Sequence, residues 1–175
     1  EIDRINNVVN ELLKLGKPAN LSLKSINVCQ LLETVLELLH EPIKAKQIII
    51  TKSIDPDLAL SVDSDKLKQV FLNLIQNAHQ ILPIGGSIHI SASGIQESAK
   101  NYAKITIADN GPGLSEDQKE KLFTPFYTTK KDGIGLGLVI SQEIIKEHGG
   151  RMEVNSKKDV GTEFTIYLPS NSFGV

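Results

Sequence analysis

Several kinds of residue are scarce in this chain, and each scarcity excludes a class of function. There is one cysteine, Cys29, in 175 residues and no Cys/His spacing of the zinc type, so neither a disulfide framework nor a structural zinc site is expected. Cys29 lies in an apolar helical stretch and reads as a small buried hydrophobe. Tryptophan is absent, and five phenylalanines with three tyrosines are too few for a platform that stacks single-stranded nucleic acid. The formal net charge of -2 comes from interspersed acids and bases, which gives no reason to expect nucleic acid or an anionic membrane as a partner. No apolar run approaches a membrane span and no secretory leader is visible, so a cytoplasmic location is expected, whether or not the full-length protein is membrane-anchored. Helical periodicity begins at once, so the chain is expected to start inside a larger protein.

What the chain does have is concentrated in the run Asp109-Asn110-Gly111-Pro112-Gly113. It closes an alternating apolar strand, Lys104 to Ala108, with an acid and then two glycines. A carboxylate held at a buried strand end is an acceptor suited to an amino group such as the exocyclic amine of adenine. Gly111 and Gly113 allow positive φ and leave no Cβ to obstruct a flat ligand. Taken alone, the run reads better as a tight turn between a strand and a helix.

Periodicity organises the rest. Residues 1 to about 17 read as one amphipathic helix, with Ile2, Ile5, Val9 and Leu12 on one stripe and Gly16 and Pro18 at its end. A strand near Leu23 to Ile26 feeds a helix capped by Asn27. Gln47 to Ser53 and Ala59 to Val62 read as strands, and Asp63 or Ser64 caps a helix from Asp65 to about Leu82. Ser87 to Ser93 and Tyr102 to Ala108 form a predicted hairpin, Leu136 to His148 a helix, and Met152 to Asn155 with Thr162 to Leu168 a closing hairpin. The order predicts an α/β fold, a two-layer sandwich in which a mixed sheet is covered on one face by helices.

On the Asp65–Leu82 helix, Leu67, Val70, Phe71, Leu74, Ile75 and Ala78 form the predicted buried stripe, while Gln69, Asn73 and Asn77 recur every fourth residue. Three amides in a row are either a solvated face or a polar wall. Gly133, Gly135 and Gly137 match neither the dinucleotide fingerprint nor the phosphate-loop pattern. They make a flexible loop entering an apolar helix, whose amides and dipole suit phosphate, or else a hinge.

In their order, the segments around Asn73 and Asn77, Asp109 to Gly113, Leu122 to Phe126 and Gly133 to Leu138 resemble the N, G1, F and G2 boxes of sensor histidine kinases. The nitrogen-regulation and sporulation branches are the most similar, and the likeness runs from about Ser25 to Leu168. The resemblance implies the ATP-binding fold shared with gyrase, Hsp90 and MutL. It implies ATP and Mg²⁺ as ligands, with residues 1–20 supplying part of the dimerisation and phosphotransfer hairpin and residues 21–175 the catalytic domain. It places the Asn77 side-chain oxygen on Mg²⁺ and puts Asn73 where hydrolytic relatives carry a glutamate that activates water. An amide cannot act as that base. Asn73, Asn77 and Lys130 are the implied catalytic set. Asp109, Gly111 and Gly113 would surround adenine, with Thr162 helping through water. Phe126, Thr128, Thr129, Lys130, Gly133, Gly135, Leu136, Gly137 and Leu138 would form the lid and phosphate cradle, with Phe123 and Phe126 anchoring it by burial. Lys131-Asp132 stand where many relatives have Gly-Thr or Gly-Ser.

None of His40, His79, His89 or His148 has the sequence setting of a phosphoacceptor, so the acceptor is expected on another segment. The implied partners are a histidine-bearing hairpin, a response regulator and, in the full-length form, a second copy. Two rival readings stand beside this one: a serine kinase of the anti-sigma type with the same fold, and a non-catalytic nucleotide-binding regulatory module. Glutamate at position 73 would favour the first.

Overall fold

The computed structural model describes residues 21–130 and 133–170. The amphipathic helix expected of residues 1–17, the boundary at residue 20 and the pair Lys131-Asp132 lie outside the described residues.

The elements follow in the order β1 (Lys24–Asn27), α1 (Val28–Leu38), α2 (His40–Ala45), β2 (Ile49–Ile54), β3 (Ala59–Val62), α3 (Ser64–Ile81), β4 (Ser87–Glu97), β5 (Lys100–Asp109), α4 (Glu116–Lys121), α5 (Gly137–Glu147), β6 (Arg151–Lys157) and β7 (Gly161–Pro169). Five strands form one mixed sheet in the order β2-β4-β5-β7-β6, with only the β2–β4 pair parallel. β1 and β3 make a separate antiparallel pair. Alternation decides which side is covered. Ile88, Ile90 and Ala92 on β4, Ala103, Ile105 and Ile107 on β5, and Ile166 and Leu168 on β7 are buried, whereas His89, Ser93 and Glu153 on the other face are exposed. The buried stripe of α3 is Leu67, Val70, Phe71, Leu74, Ile75 and Ala78, as its periodicity predicts. Fully burying each such large side chain stabilises by roughly 1.5–3 kcal/mol.

α3 and α5 are tied together at the ends away from the glycine loop. Asp63 caps α3 by accepting from Lys66 N–H at 3.2 Å, and its own N–H donates to His148 Nε2 at 3.0 Å. His148 Nδ1 lies 2.7 Å from the carbonyl of Ile144, which can only accept, so the ring carries its proton on Nδ1. His148 is therefore a C-terminal cap that also clamps two helices. Lys66 and Glu147 add a half-buried ion pair at 2.8 Å.

The departures from the expected elements have local causes. β2 starts at Ile49 because Gln47 takes a positive φ of 53° in the turn before it. The β4–β5 hairpin runs to Glu97 and Lys100 through a two-residue turn in which Ser98 and Ala99 both have positive φ, 50° and 62°. That turn usually carries Asn-Gly, so the polar run across it reads as a longer loop. α2 and α4 are too short to show helical period. α4 does carry a signature, the capping box of Ser115 and Gln118. Cys29 is half-buried rather than buried, because α1 turns Val28, Leu31, Leu32 and Val35 inward.

Candidate functional site

A cleft of about 310 Å³ opens between α3, the C-terminal end of β5 and residues 127–130 and 133–138. That volume is in the range of small-molecule sites. Of the residues singled out from the sequence, Asn73, Asn77, Asp109, Thr128, Thr129, Lys130, Gly133, Gly135, Leu136, Gly137, Leu138 and Thr162 all line it.

Asp109 forms the floor. It ends β5, the central strand of the five, with Thr162 of β7 as its register partner. Its Oδ1 accepts from Gly111 N–H at 2.8 Å. Burial pushes the carboxyl above its ordinary value, and the backbone N–H groups of Gly111 and Thr162 draw it partly back. An ionised carboxylate can only accept, so a ligand group meeting it must bring an N–H or O–H.

Gly111 and Gly113 do not line the cleft; they shape the turn beneath it. Gly113 has φ +65°, and a Cβ there would lie 2.1 Å from the Lys157 carbonyl oxygen. The turn after Asp109 is thus pressed against the β6–β7 connection, with Asp159 N–H donating to Pro112 O at 2.7 Å.

Asn73 and Asn77 form one wall, and their amides are locked in sequence. Asn73 Nδ2 donates to Ser141 Oγ at 2.9 Å, Asn77 Nδ2 donates to Asn73 Oδ1 at 3.4 Å, and the Lys130 ammonium donates to Asn77 Oδ1 at 2.5 Å. Lys130 also donates to Gln80 Oε1. Its desolvation in the cleft lowers its pKa. Gly137 packs so closely that a Cβ would fall 2.4 Å from Asn73 Oδ1. The first turn of α5 therefore abuts the amide row, and its free N–H groups and dipole face the cleft at Gly137 and Leu138. Gln69, the first amide of the row, lies outside and borders a second hollow on the far side of Asn73.

The structure departs from the expectation at Phe126. Phe123 is partly buried against the core, but Phe126 is 56% exposed and does not line the cleft. Its positive φ of 66° swings the ring outward while its N–H donates to Gly135 O at 3.0 Å. Gly135 itself has φ +75° and touches the Phe126 backbone. Phe126 thus holds the loop by its main chain, not by burial. His79 takes no part, its Nε2 lying 3.1 Å from Pro42 O.

Sequence reasoning missed several lining residues, including Ile81, Leu114, Gln118, Leu122, Tyr127 and Phe164. Ile81 was within reach, being four residues beyond Asn77 on the same helix face. Gln118 lines the cleft while its Oε1 caps Ser115 N–H at 2.9 Å, and only the fold brings it there.

Among the described residues no helix is long and apolar enough to cross a membrane. Nor do three or more His, Cys, Asp or Glu side chains among them gather where they could hold a metal.

Residues 62–172 match the family model described as histidine kinase-, DNA gyrase B- and HSP90-like ATPase. The sensor histidine kinase ZraS of Salmonella typhimurium is 41% identical over 170 residues, covering 97% of this chain and 36% of that protein. The chain thus spans about a third of the length of the curated relatives it matches. Among solved structures, the catalytic domain of histidine kinase ThkA has a TM-score of 0.76 at 32% identity, covering 85% of this chain and 95% of that one. ThkA in complex with the response regulator TrrA has a TM-score of 0.79 at 30% identity, covering 96% of this chain and 48% of that one. Full-length ShkA in complex with AMPPNP has a TM-score of 0.82 at 28% identity, covering 95% of this chain and 35% of that one. The chain belongs to the histidine kinase-, DNA gyrase B- and HSP90-like ATPases, as an ATP-binding catalytic domain of the sensor histidine kinase kind.

Proposed function

We propose that the cleft binds ATP with Mg²⁺ and that the whole protein transfers the γ-phosphoryl group to a histidine on its dimerisation hairpin. In this reading residues 1–20 belong to the hairpin unit and residues 21–175 to the catalytic domain. The carrying observation is the amide row beside the first turn of α5. In this reading Asn73, which cannot take a proton from water, stands at the phosphate end of a cleft whose other end is the Asp109 acceptor.

Asp109 accepts the adenine amine, Thr162 assists, and the N–H groups at the start of α5 with Thr128, Thr129 and Lys130 hold phosphate oxygens. Asn77 fits the metal: its Oδ1 already faces a cation, the Lys130 ammonium at 2.5 Å. With no group of three or more His, Cys, Asp or Glu side chains among the described residues placed to hold a metal, a cation there would be carried chiefly by the phosphates. Bound Mg²⁺ would neutralise phosphate charge as it builds on the leaving oxygen. An imidazole nitrogen attacks the γ-phosphorus, an N–P bond forms as the bond to the β-phosphate oxygen breaks, and ADP leaves with the electron pair. The imidazole proton passes to solvent or a neighbouring base. The locked Asn73 withholds a base from water, so the imidazole is the better nucleophile. AMPPNP in ShkA and TrrA on ThkA support nucleotide and response-regulator partners of the same kind for this protein.

The test is to incubate the chain with labelled ATP, Mg²⁺ and a separate hairpin domain carrying an acceptor histidine. Acid-labile, base-stable label on the hairpin is expected. Acid-stable label would favour the serine kinase reading, and absence of ATP binding would remove the site assignment.

A further inference from the structure

We propose that Ser156, which does not line the cleft, sets its base preference by fixing which way the hydrogen bonds of the floor run. The inference rests on the nucleotide reading of the cleft and concerns how that site tells purines apart. Ser156 lies on β6, 6% exposed, and its hydroxyl meets three groups. It donates to Gly161 O at 2.9 Å, accepts from Leu114 N–H at 2.9 Å and lies 2.8 Å from Thr162 Oγ1.

A hydroxyl has one proton, and these partners leave it no choice. The Gly161 carbonyl can only accept, so the Ser156 proton goes there. Thr162 must then donate to Ser156, which uses the only proton on the Thr162 hydroxyl. Thr162 Oγ1 is left with lone pairs alone for the cleft it lines. Its register partner across the β5–β7 ladder is Asp109, a carboxylate with no donor either. The floor therefore presents two neighbouring acceptors and no side-chain donor.

Such a floor fits a 6-amino purine, whose amine has two N–H bonds, one for Asp109 and one for Thr162 or a water it holds. A 6-oxo purine turns a carbonyl toward the same acceptors and offers them a single donor, its N1–H, so it fits the floor less well. Ser156→Ala removes the oxygen that keeps the Thr162 proton out of the cleft. The freed hydroxyl can rotate and donate, so the 6-oxo base gains a partner. Ser156 is a positioning residue, acting through Thr162.

The experiment measures Kd for ATP and ITP with the whole chain in Mg²⁺ for wild type, Ser156→Ala, Ser156→Cys and Thr162→Val, with melting curves to establish folding. ITP differs from ATP in carrying a carbonyl in place of the 6-amino group and, with it, a proton on N1, which is an acceptor in ATP. One redirected hydrogen bond of about 1–1.5 kcal/mol corresponds to a five- to tenfold fall in the preference for ATP over ITP in Ser156→Ala. Ser156→Cys, with its weak donor and slight bulk, should fall between. It carries the test if the alanine variant does not fold. Thr162→Val should lose preference by a similar factor, and adding Ser156→Ala to it should change nothing more. A merely structural role for Ser156 weakens both nucleotides alike; an unchanged ratio in folded Ser156 variants overturns the proposal, as does a wild type without preference. A wild type that binds neither nucleotide instead overturns the reading of the cleft.

Discussion

Asp109→Asn keeps the size of the side chain and the Oδ1 that accepts from Gly111 N–H at 2.8 Å, but it exchanges the second carboxylate oxygen for an N–H₂ donor. Against adenine the change has two parts. A hydrogen bond to a charged acceptor, worth about 1.5–3 kcal/mol, is lost, and a donor now faces a donor. The sum is about 3 kcal/mol, or roughly a 100-fold rise in Kd for ATP. The ligand-free protein should move the other way. Burial raises the Asp109 pKa, so ionising it in the fold is unfavourable, and the neutral amide removes that penalty. Its melting temperature should be no lower than that of wild type. The pH dependence separates the two effects. Because the folded chain holds the Asp109 proton more tightly than the unfolded chain does, wild-type stability falls as pH rises from about 3.9 through the raised value. Affinity for ATP, which needs the ionised form, is lost as pH falls through that same raised value. The asparagine variant should show neither dependence from this residue. Calorimetric titration with ATP across pH, beside melting curves without ligand, measures both. A folded variant that binds ATP within threefold of wild type would refute the placement of adenine on Asp109.

Three further outcomes follow from the same geometry. Asn77→Ala removes the oxygen that faces Lys130 and should abolish most of the Mg²⁺ dependence of nucleotide affinity; titration with and without Mg²⁺ checks this, and an unchanged dependence in a folded variant counts against Asn77 as the metal contact. Gly113→Ala would place a Cβ 2.1 Å from Lys157 O at φ +65°, so the backbone must move, and denaturant unfolding should show a loss of about 2 kcal/mol or more. The chain without a hairpin should release phosphate from ATP negligibly, since Asn73 offers no base; brisk turnover in a phosphate-release assay would contradict that role.

The parts of the molecule that could be read early are those whose cause lies within a few residues. The α3 stripe follows from 3.6-residue periodicity, Asn27 and Asp63 cap the helices they precede, and Asp109 is marked by the strand before it and the glycines after it. These local features also placed most of the cleft lining, because ordered motifs on a sheet and its flanking helices converge once the layers pack. Phe126 was misread because its outward turn depends on a positive φ held by Gly135, which no hydrophobic pattern records. Gln118 and Ser156 were invisible because their roles depend on partners supplied by other elements. The locking of Asn73 by Ser141 joins residues 68 apart, and the clamp of His148 on Asp63 joins residues 85 apart. Periodicity and capping act over one or two turns of chain and are written in composition. The direction of a hydrogen bond at the floor of a cleft exists only after distant strands have met and a limited number of protons has been shared among them.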